Sequence, residues 1–196
     1  MKKGSLILIV ILALLLIGGC MTCNVQRTLV RTDEAVKSKW GEVQNQYQRR
    51  ADLVPNLVNT VKGAANFEKS TLEAVVDARA RATSVRVNPE DLSPEKLQEF
   101  QQAQGQLSQA LGRLLMVTEN YPELKANQNF LALQDQLEGT ENRITVARKN
   151  FNEAVQEYNV NVRTFPNSIF AGMLGFHSKG MFEADEAAQK APTVQF

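Results

Sequence analysis

Glu141 and Arg148 stand on the same stripe as Leu137, Ile144 and Phe151, and Glu68 and Arg79 keep step with Leu72 and Val75. Charged side chains are rarely buried unless paired. These four are therefore candidates for a polar layer that fixes the register of packed helices. The alternative is a functional cleft between helices, lined by carboxylates and guanidinium groups. A second cluster, Arg49, Arg50 and Asp52, reads as the junction of two helices. Asp52 would accept from the free N–H groups of the second helix, and the arginines would face the terminal carbonyls of the first. The sharper reading of that cluster is an anion or partner site. Other chemistry is scarce. His177 is the one histidine, and a lone exposed histidine in a glycine-rich tail is ordinarily just solvated. No His, Cys and carboxylate group has metal-ligand spacing, no glycine-rich phosphate loop follows a strand, and no serine sits in a nucleophile elbow. The residues point to no catalytic group, no cofactor and no metal.

Two apolar segments frame the chain. Residues 4–26 carry no charge, residues 5–17 are almost wholly aliphatic, and Lys2 and Lys3 precede them. About 20 apolar residues suffice to cross roughly 30 Å of hydrocarbon, and residues 4–23 supply that length. An uncleaved span over about 5–23 is the favoured reading. The competing one is a lipoprotein signal, in which Ile17-Gly18-Gly19-Cys20 looks like a lipobox and Cys20 is lipidated after cleavage. Either tethers the remaining chain to a bilayer, since a doubly or triply acylated cysteine anchors stably. The lysines abutting the run favour a cytoplasmic N-terminus and a domain on the other side, although Arg27, Arg31, Lys37 and Lys39 lie on the opposite flank. At the other end, after Pro166, Ile169, Phe170, Met173, Leu174, Phe176, Met181 and Phe182 crowd a short stretch. They either fold back to seal one end of the helices or form a surface for lipid or a membrane-protein partner.

Composition narrows the class further. The 22 basic residues include Lys2, Lys3 and Arg27, so the part after the leader is slightly acidic against 21 carboxylates. No basic patch with interleaved aromatics is present, which argues against nucleic acid, and the balance argues against strong attraction to anionic headgroups. Both cysteines, Cys20 and Cys23, sit at the membrane boundary. The fold therefore needs no disulfide and suits either redox compartment.

The elements that must position these groups are helices. Apolar residues recur at steps of three and four. The stripes are Leu29, Val36, Trp40, Val43 and Tyr47; Leu57, Val61, Ala64, Leu72 and Val75; and Leu97, Phe100, Leu107, Leu111 and Leu114. The most regular is Phe130, Leu137, Ile144, Phe151 and Tyr158, spaced by seven, which implies a left-handed supercoil. No stretch alternates with period two. Ser93-Pro94 is a cap with proline at the first helical position, Asn88-Pro89 and Asn120-Tyr121-Pro122 break the chain, and Asn127 caps a fourth helix that ends at Phe165-Pro166-Asn167. The spacing predicts an all-α chain: an anchor over 1–26, a bundle over 27–165 and an apolar tail over 166–196 that packs on it. Helices fall at about 29–50, 53–86, 94–118 and 128–163. Short connections make an antiparallel up-and-down four-helix bundle. A turn is expected at Asp52–Pro55, with a kink in one very long helix as the alternative, because the stripe continues in nearly the same phase through Val54 into Leu57.

The run Gln48-Arg49-Arg50-Ala51-Asp52-Leu53-Val54-Pro55-Asn56-Leu57-Val58-Asn59-Thr60-Val61-Lys62-Gly63 closely resembles the LemA family. So do Leu137-Glu138-Gly139-Thr140-Glu141-Asn142-Arg143-Ile144, then Arg148, Asn150-Phe151-Asn152 and Tyr158-Asn159, and the tail Phe165-Pro166-Asn167-Ser168-Ile169-Phe170-Ala171-Gly172. The likeness covers nearly all of 29–196. One departure is Gln26-Arg27, where the family usually has Tyr-Asn shortly after the anchor. The resemblance implies a bacterial membrane-anchored helical bundle of no established biochemical role. Together these readings predict a membrane-tethered, non-catalytic interaction or scaffold protein of the cell envelope. Its partners would be the bilayer through residues 5–23 and another envelope protein, and its contact surface is expected around Arg49, Arg50, Asp52, Phe165, Ile169, Phe170, Met173 and Phe176.

Overall fold

A computed structural model describes residues 3–63 and 67–183. Among the described residues every regular element is a helix: α1 (Lys3–Lys62), α2 (Lys69–Ser84), α3 (Pro94–Thr118), the short α4 (Pro122–Lys125), α5 (Gln128–Arg163) and α6 (Asn167–Met173). No helix among them is long and apolar enough to cross a membrane. The backbone of the apolar run expected to span, 5–23, belongs to α1. Its side chains lie outside the described residues, apart from Leu12, Gly19, Thr22 and Cys23. Cys20 and Ala64 fall outside them too, as do residues 184–196.

The turn expected at Asp52–Pro55 does not occur. α1 runs through it with Pro55 inside the helix, so the helices expected at 29–50 and 53–86 divide elsewhere. The break comes after Lys62, where a basic residue in the last turn precedes Gly63, a stop signal that the sequence carried. Asp52 caps nothing; its carboxylate accepts from Gln48 Nε2 one turn earlier at 2.7 Å. Proline inside a helix deprives the carbonyl four residues back of its donor. Here that carbonyl is Ala51 O, and Arg79 Nε of α2 donates to it at 2.8 Å. A neighbouring helix thus supplies the hydrogen bond that Pro55 cannot. Arg79→Met is expected to destabilise the fold by about 1–2 kcal/mol by orphaning this carbonyl. In a Pro55→Ala background, where Ala51 O regains its own helical donor, the loss is expected to shrink well below that. A double-mutant cycle by urea denaturation measures the difference.

Side-chain contacts set the helix directions. From Trp40 to Ala51, α1 meets first Val87 O (3.3 Å from Trp40 Nε1) and then Arg79, so α2 runs against it. Trp40 lies 5.4 Å from Phe151 and Arg50 meets Glu141, so α5 also runs against α1. Trp40 and Arg50 meet Phe100 and then Gln104, so α3 runs with it. The seven-spaced stripe Phe130, Leu137, Ile144, Phe151 and Tyr158 is buried throughout. α5 begins where Asn127 accepts from the N–H groups of Asn129 and Phe130 at 2.9 and 3.2 Å. At Ser93 the side chain makes no cap hydrogen bond, and Pro94 opens α3.

The core is divided lengthwise. One apolar cluster gathers Val25, Leu29, Val36, Trp40, Phe151 and Tyr158. The other gathers Leu57, Val61, Val75, Leu107, Leu114 and Phe130. The boundary between them is polar, and most of the candidate chemistry lies beside it.

Candidate functional site

Arg50 stands at this boundary, only 2% exposed. It is neither a cap nor a surface group, because α1 does not end beside it. Its Nη1 donates to Ser108 Oγ at 2.6 Å and to Glu141 Oε2 at 3.0 Å. Its Nη2 donates to Gln104 O at 3.1 Å and to Gln104 Oε1 at 2.8 Å, and its guanidinium carbon lies 5.0 Å from the Tyr47 ring centroid. Gln104 carries the link onward, since its Nε2 donates to Ala82 O at 3.0 Å. One layer thus ties α1, α3 and α5 to each other and to the end of α2. Gln104 is buried, and the sequence reading passed over it because it carries no charge. The available signal was positional: 104 falls between Phe100 and Leu107 on a stripe of otherwise apolar residues.

The four expected layer residues do not form one layer. Glu141 joins Arg50, with its side chain 54% exposed. Arg148 lies further along α5, where its guanidinium carbon is 4.7 Å from the Phe182 ring centroid and its Nη2 donates to Glu183 O at 3.1 Å. Arg79 holds Ala51 O, and Glu68, exposed before α2, accepts from Thr71 Oγ1 at 3.1 Å. Arg49 and Asp52 are exposed on α1.

Beside the layer opens a cleft of about 710 Å³ between α1, α2 and the segment after α2. Its wall includes Gln44, Gln48, Arg79, Thr83, Arg86 and Asn88, with Tyr47 and Phe100 deeper, and no carboxylate lines it. Among the described residues neither Arg79 nor Arg86 makes an ion pair. The volume lies within the range of small-molecule sites, and Arg79 and Arg86 give the wall a positive charge.

The tail divides in two. Beyond α6, residues 176–183 run extended along the helices and are held by their backbone. Asn159 Nδ2 donates to Lys179 O and Asn159 Oδ1 accepts from Lys179 N, each at 2.8 Å. Asn152, two turns earlier, does the same for Phe182, each bond at 2.9 Å. Tyr158 donates from its hydroxyl to His177 O at 3.0 Å, and the Phe182 ring stacks on Trp40 with centroids 6.0 Å apart. Lys179 Nζ pairs with Asp33 at 2.7 Å, and Asp33 also pairs with Lys37 at 3.0 Å. Phe170 and Phe176 pack against the same cluster, whereas Phe165, Ile169 and Met173 point away from it, exposed.

Burial pushes the Asp33 carboxyl up, but hydrogen bonds from Lys179 and Lys37 outweigh this and hold it below its ordinary value of 3.8. Burial, reinforced by the Asp33 charge, pushes the Tyr158 hydroxyl up to about 12. A carboxylate whose folded-state pKa is depressed contributes stability above its unfolded pKa and loses it as pH falls through the folded value. Residues 176–183, a strap laid over the helices, are therefore expected to loosen as pH falls below about 4. A red shift of Trp40 emission, the chain's one tryptophan, would report it. Asp33→Asn is expected to show part of that shift already at neutral pH and to weaken its acid dependence.

Comparison with known proteins places the chain among relatives of unequal length. A profile described as the LemA family matches residues 39–196. Protein LemA of Metamycoplasma hominis is 24% identical over 158 residues, 81% of this chain and 68% of that protein. Magnetosome protein MamQ 2 of Paramagnetospirillum magneticum is 25% identical over 177 residues, 82% of this chain and 65% of that protein. Magnetosome protein MamQ of Magnetospirillum gryphiswaldense is 25% identical over 195 residues, covering 90% of this chain and 72% of that protein.

Proposed function

The chain belongs to the LemA family, and from that premise we propose that it is a membrane-tethered, non-catalytic interaction or scaffold protein of the bacterial envelope. Continuity carries the reading. α1 is one helix of 60 residues, about 90 Å long, and it contains both the charge-free run and the stripe from Leu29 to Val61. A rod that spans the bilayer and then lines the core would hold the helices at a fixed height and tilt. That suits a platform or spacer better than a mobile tethered domain. In this reading residues 5–23 span once, Lys2 and Lys3 lie inside, and the long helices form an antiparallel four-helix stalk on the other side, where another envelope protein docks.

Fractionation of cells expressing the full chain tests the tether. Alkaline carbonate should leave the protein in the membrane pellet, and detergent should release it. Recovery of the unprocessed chain in the aqueous fraction would overturn the proposal. Intact mass separates a span from a lipoprotein: unmodified Cys20 with the leader retained fits the span, and a diacylglyceryl adduct on Cys20 with the leader lost fits the signal.

The cleft favours a second reading, in which the domain holds a small anionic ligand against Arg79 and Arg86. Its supporting observation is two arginines in a wall without carboxylates. Titration with inorganic phosphate or citrate, followed by NMR of the arginine Nε–H signals, tests it. Saturable shifts lost in Arg86→Gln would support this reading, and flat titrations would dismiss it.

A further inference from the structure

Four large apolar side chains lie bare at one end of the molecule: Phe165 at 77% exposure, Ile169 at 55%, Met173 at 81% and Leu174 at 42%. Ile169 and Met173 are one turn apart and share a face of α6, while Ala171 of the same helix is buried. Other large apolar side chains are exposed singly along the helices, but these four fall within ten consecutive residues, and a group of this size ordinarily marks a contact. Its position names the partner. α5 runs against α1, so its C-terminal end comes back beside the start of the α1 stripe. α6 follows there, packed on both helices, and Ala171 joins the cluster that contains Val25 and Leu29. Those two residues follow Cys23, the end of the apolar run, by only about 3–9 Å of helix rise. The headgroup zone outside the hydrocarbon is of similar depth, on the order of 5–7 Å per leaflet.

Charge agrees with position. Between residues 24 and 32 the chain has Arg27 and Arg31 and no carboxylate, and Arg163 closes α5. All three arginines are exposed. The first exposed acid on α1, Glu34, pairs with Lys37 and lies about 16 Å beyond Cys23 along the helix. This end therefore offers apolar groups from α6 at the level of the acyl boundary and guanidinium groups from α1 and α5 toward the phosphates, a division that suits a membrane interface.

We propose that Phe165, Ile169, Met173 and Leu174 form a second contact with the lipid surface, seating α6 in the interface beside the anchor. This rests on the membrane tether put forward above. The two contacts together would fix the rotation of the stalk about the membrane normal, which a single spanning helix leaves free. Surfaces higher on the stalk would then face one direction only.

The test uses full-length Met173→Trp reconstituted in phosphatidylcholine–phosphatidylglycerol vesicles with brominated acyl chains. Met173 is exposed and packs on no core cluster, so the variant should fold. Trp40 lies about 25 Å beyond Cys23 along α1 and serves as an unquenched internal control. The brominated lipid is expected to quench the added emission by about half or more and to leave Trp40 untouched. Emission unchanged by brominated lipid, in protein that still floats with the vesicles, would overturn the interfacial seat while leaving the tether intact. Failure to float would overturn the tether. Emission that shifts with protein concentration in detergent, and not with brominated lipid, would assign the face to a second copy of the chain and overturn the lipid contact.

Discussion

Glu141→Leu is expected to lower stability by about 3 kcal/mol, with Tm falling by roughly 6–12 °C, although the residue removed is the exposed member of its pair. The reason lies in the partner left behind. Arg50 is 2% exposed and cannot lose its proton. Without Glu141 its charge remains among Gln104 O, Gln104 Oε1 and Ser108 Oγ, which accept hydrogen bonds but supply no countercharge. The Nε of Arg50 already lacks a partner. Arg50→Met has the opposite geometry: Glu141 is left with half its side chain in water and can rehydrate. The loss there is limited to the orphaned Gln104 and Ser108 acceptors, about 1–3 kcal/mol. Combining the two substitutions should recover much of the Glu141→Leu loss, because no charge remains buried. Urea denaturation of the four proteins gives the cycle. A double variant no more stable than Glu141→Leu would show that Arg50 is not an enclosed charge held by this carboxylate. Far-UV circular dichroism should show helicity unchanged in all four under native conditions.

That pair also shows where sequence reading succeeds and where it stops. Glu141 is legible as a charge in step with an apolar stripe. Its partner is not, because Arg50 lies 91 residues away and sits next to Asp52 and Pro55, which together read as a helix end. Local signals were sound for α3 and α5: Pro94, Asn127 and the seven-residue repeat act within one helix and placed those helices at 94–118 and about 128–163. They misled at Pro55, because what keeps α1 intact is a guanidinium on another helix, and no local rule knows that Ala51 O has found Arg79. The tail repeats the pattern. Its apolar content was plain, but the division between a docked strap and a bare α6 face depends on Asn152 and Asn159. Their spacing of seven places both amides on one line of α5, facing a backbone that sequence does not locate.

Gly180→Ala tests that line of contact. A methyl group built at Gly180 would lie 2.9 Å from Pro94 Cα, 3.0 Å from Pro94 N and 3.1 Å from Leu97 Cδ1. Two of these are backbone atoms at the start of α3 and cannot swing aside. Gly180 N also donates to Leu92 O at 2.9 Å, which holds the strap close. The strap itself must therefore lift, drawing Lys179 from Asp33 and Phe182 from Trp40 and Phe151. The expected loss is about 2–3 kcal/mol, with a red shift of Trp40 emission and faster exchange of the Lys179 and Phe182 amides, which now donate to Asn159 and Asn152. Gly105→Ala supplies the contrast. It lies inside α3 with nothing within 4 Å of the added methyl, so helix propensity alone acts and stability should rise by about 0.5–1 kcal/mol. The same chemical change thus carries opposite signs at two glycines, decided by whether a neighbouring backbone already occupies the space. A Gly180→Ala protein with native Trp40 emission and protected Lys179 and Phe182 amides would mean that residues 176–183 keep their seat on α5 and that Gly180 does not lie tight against Pro94 in solution.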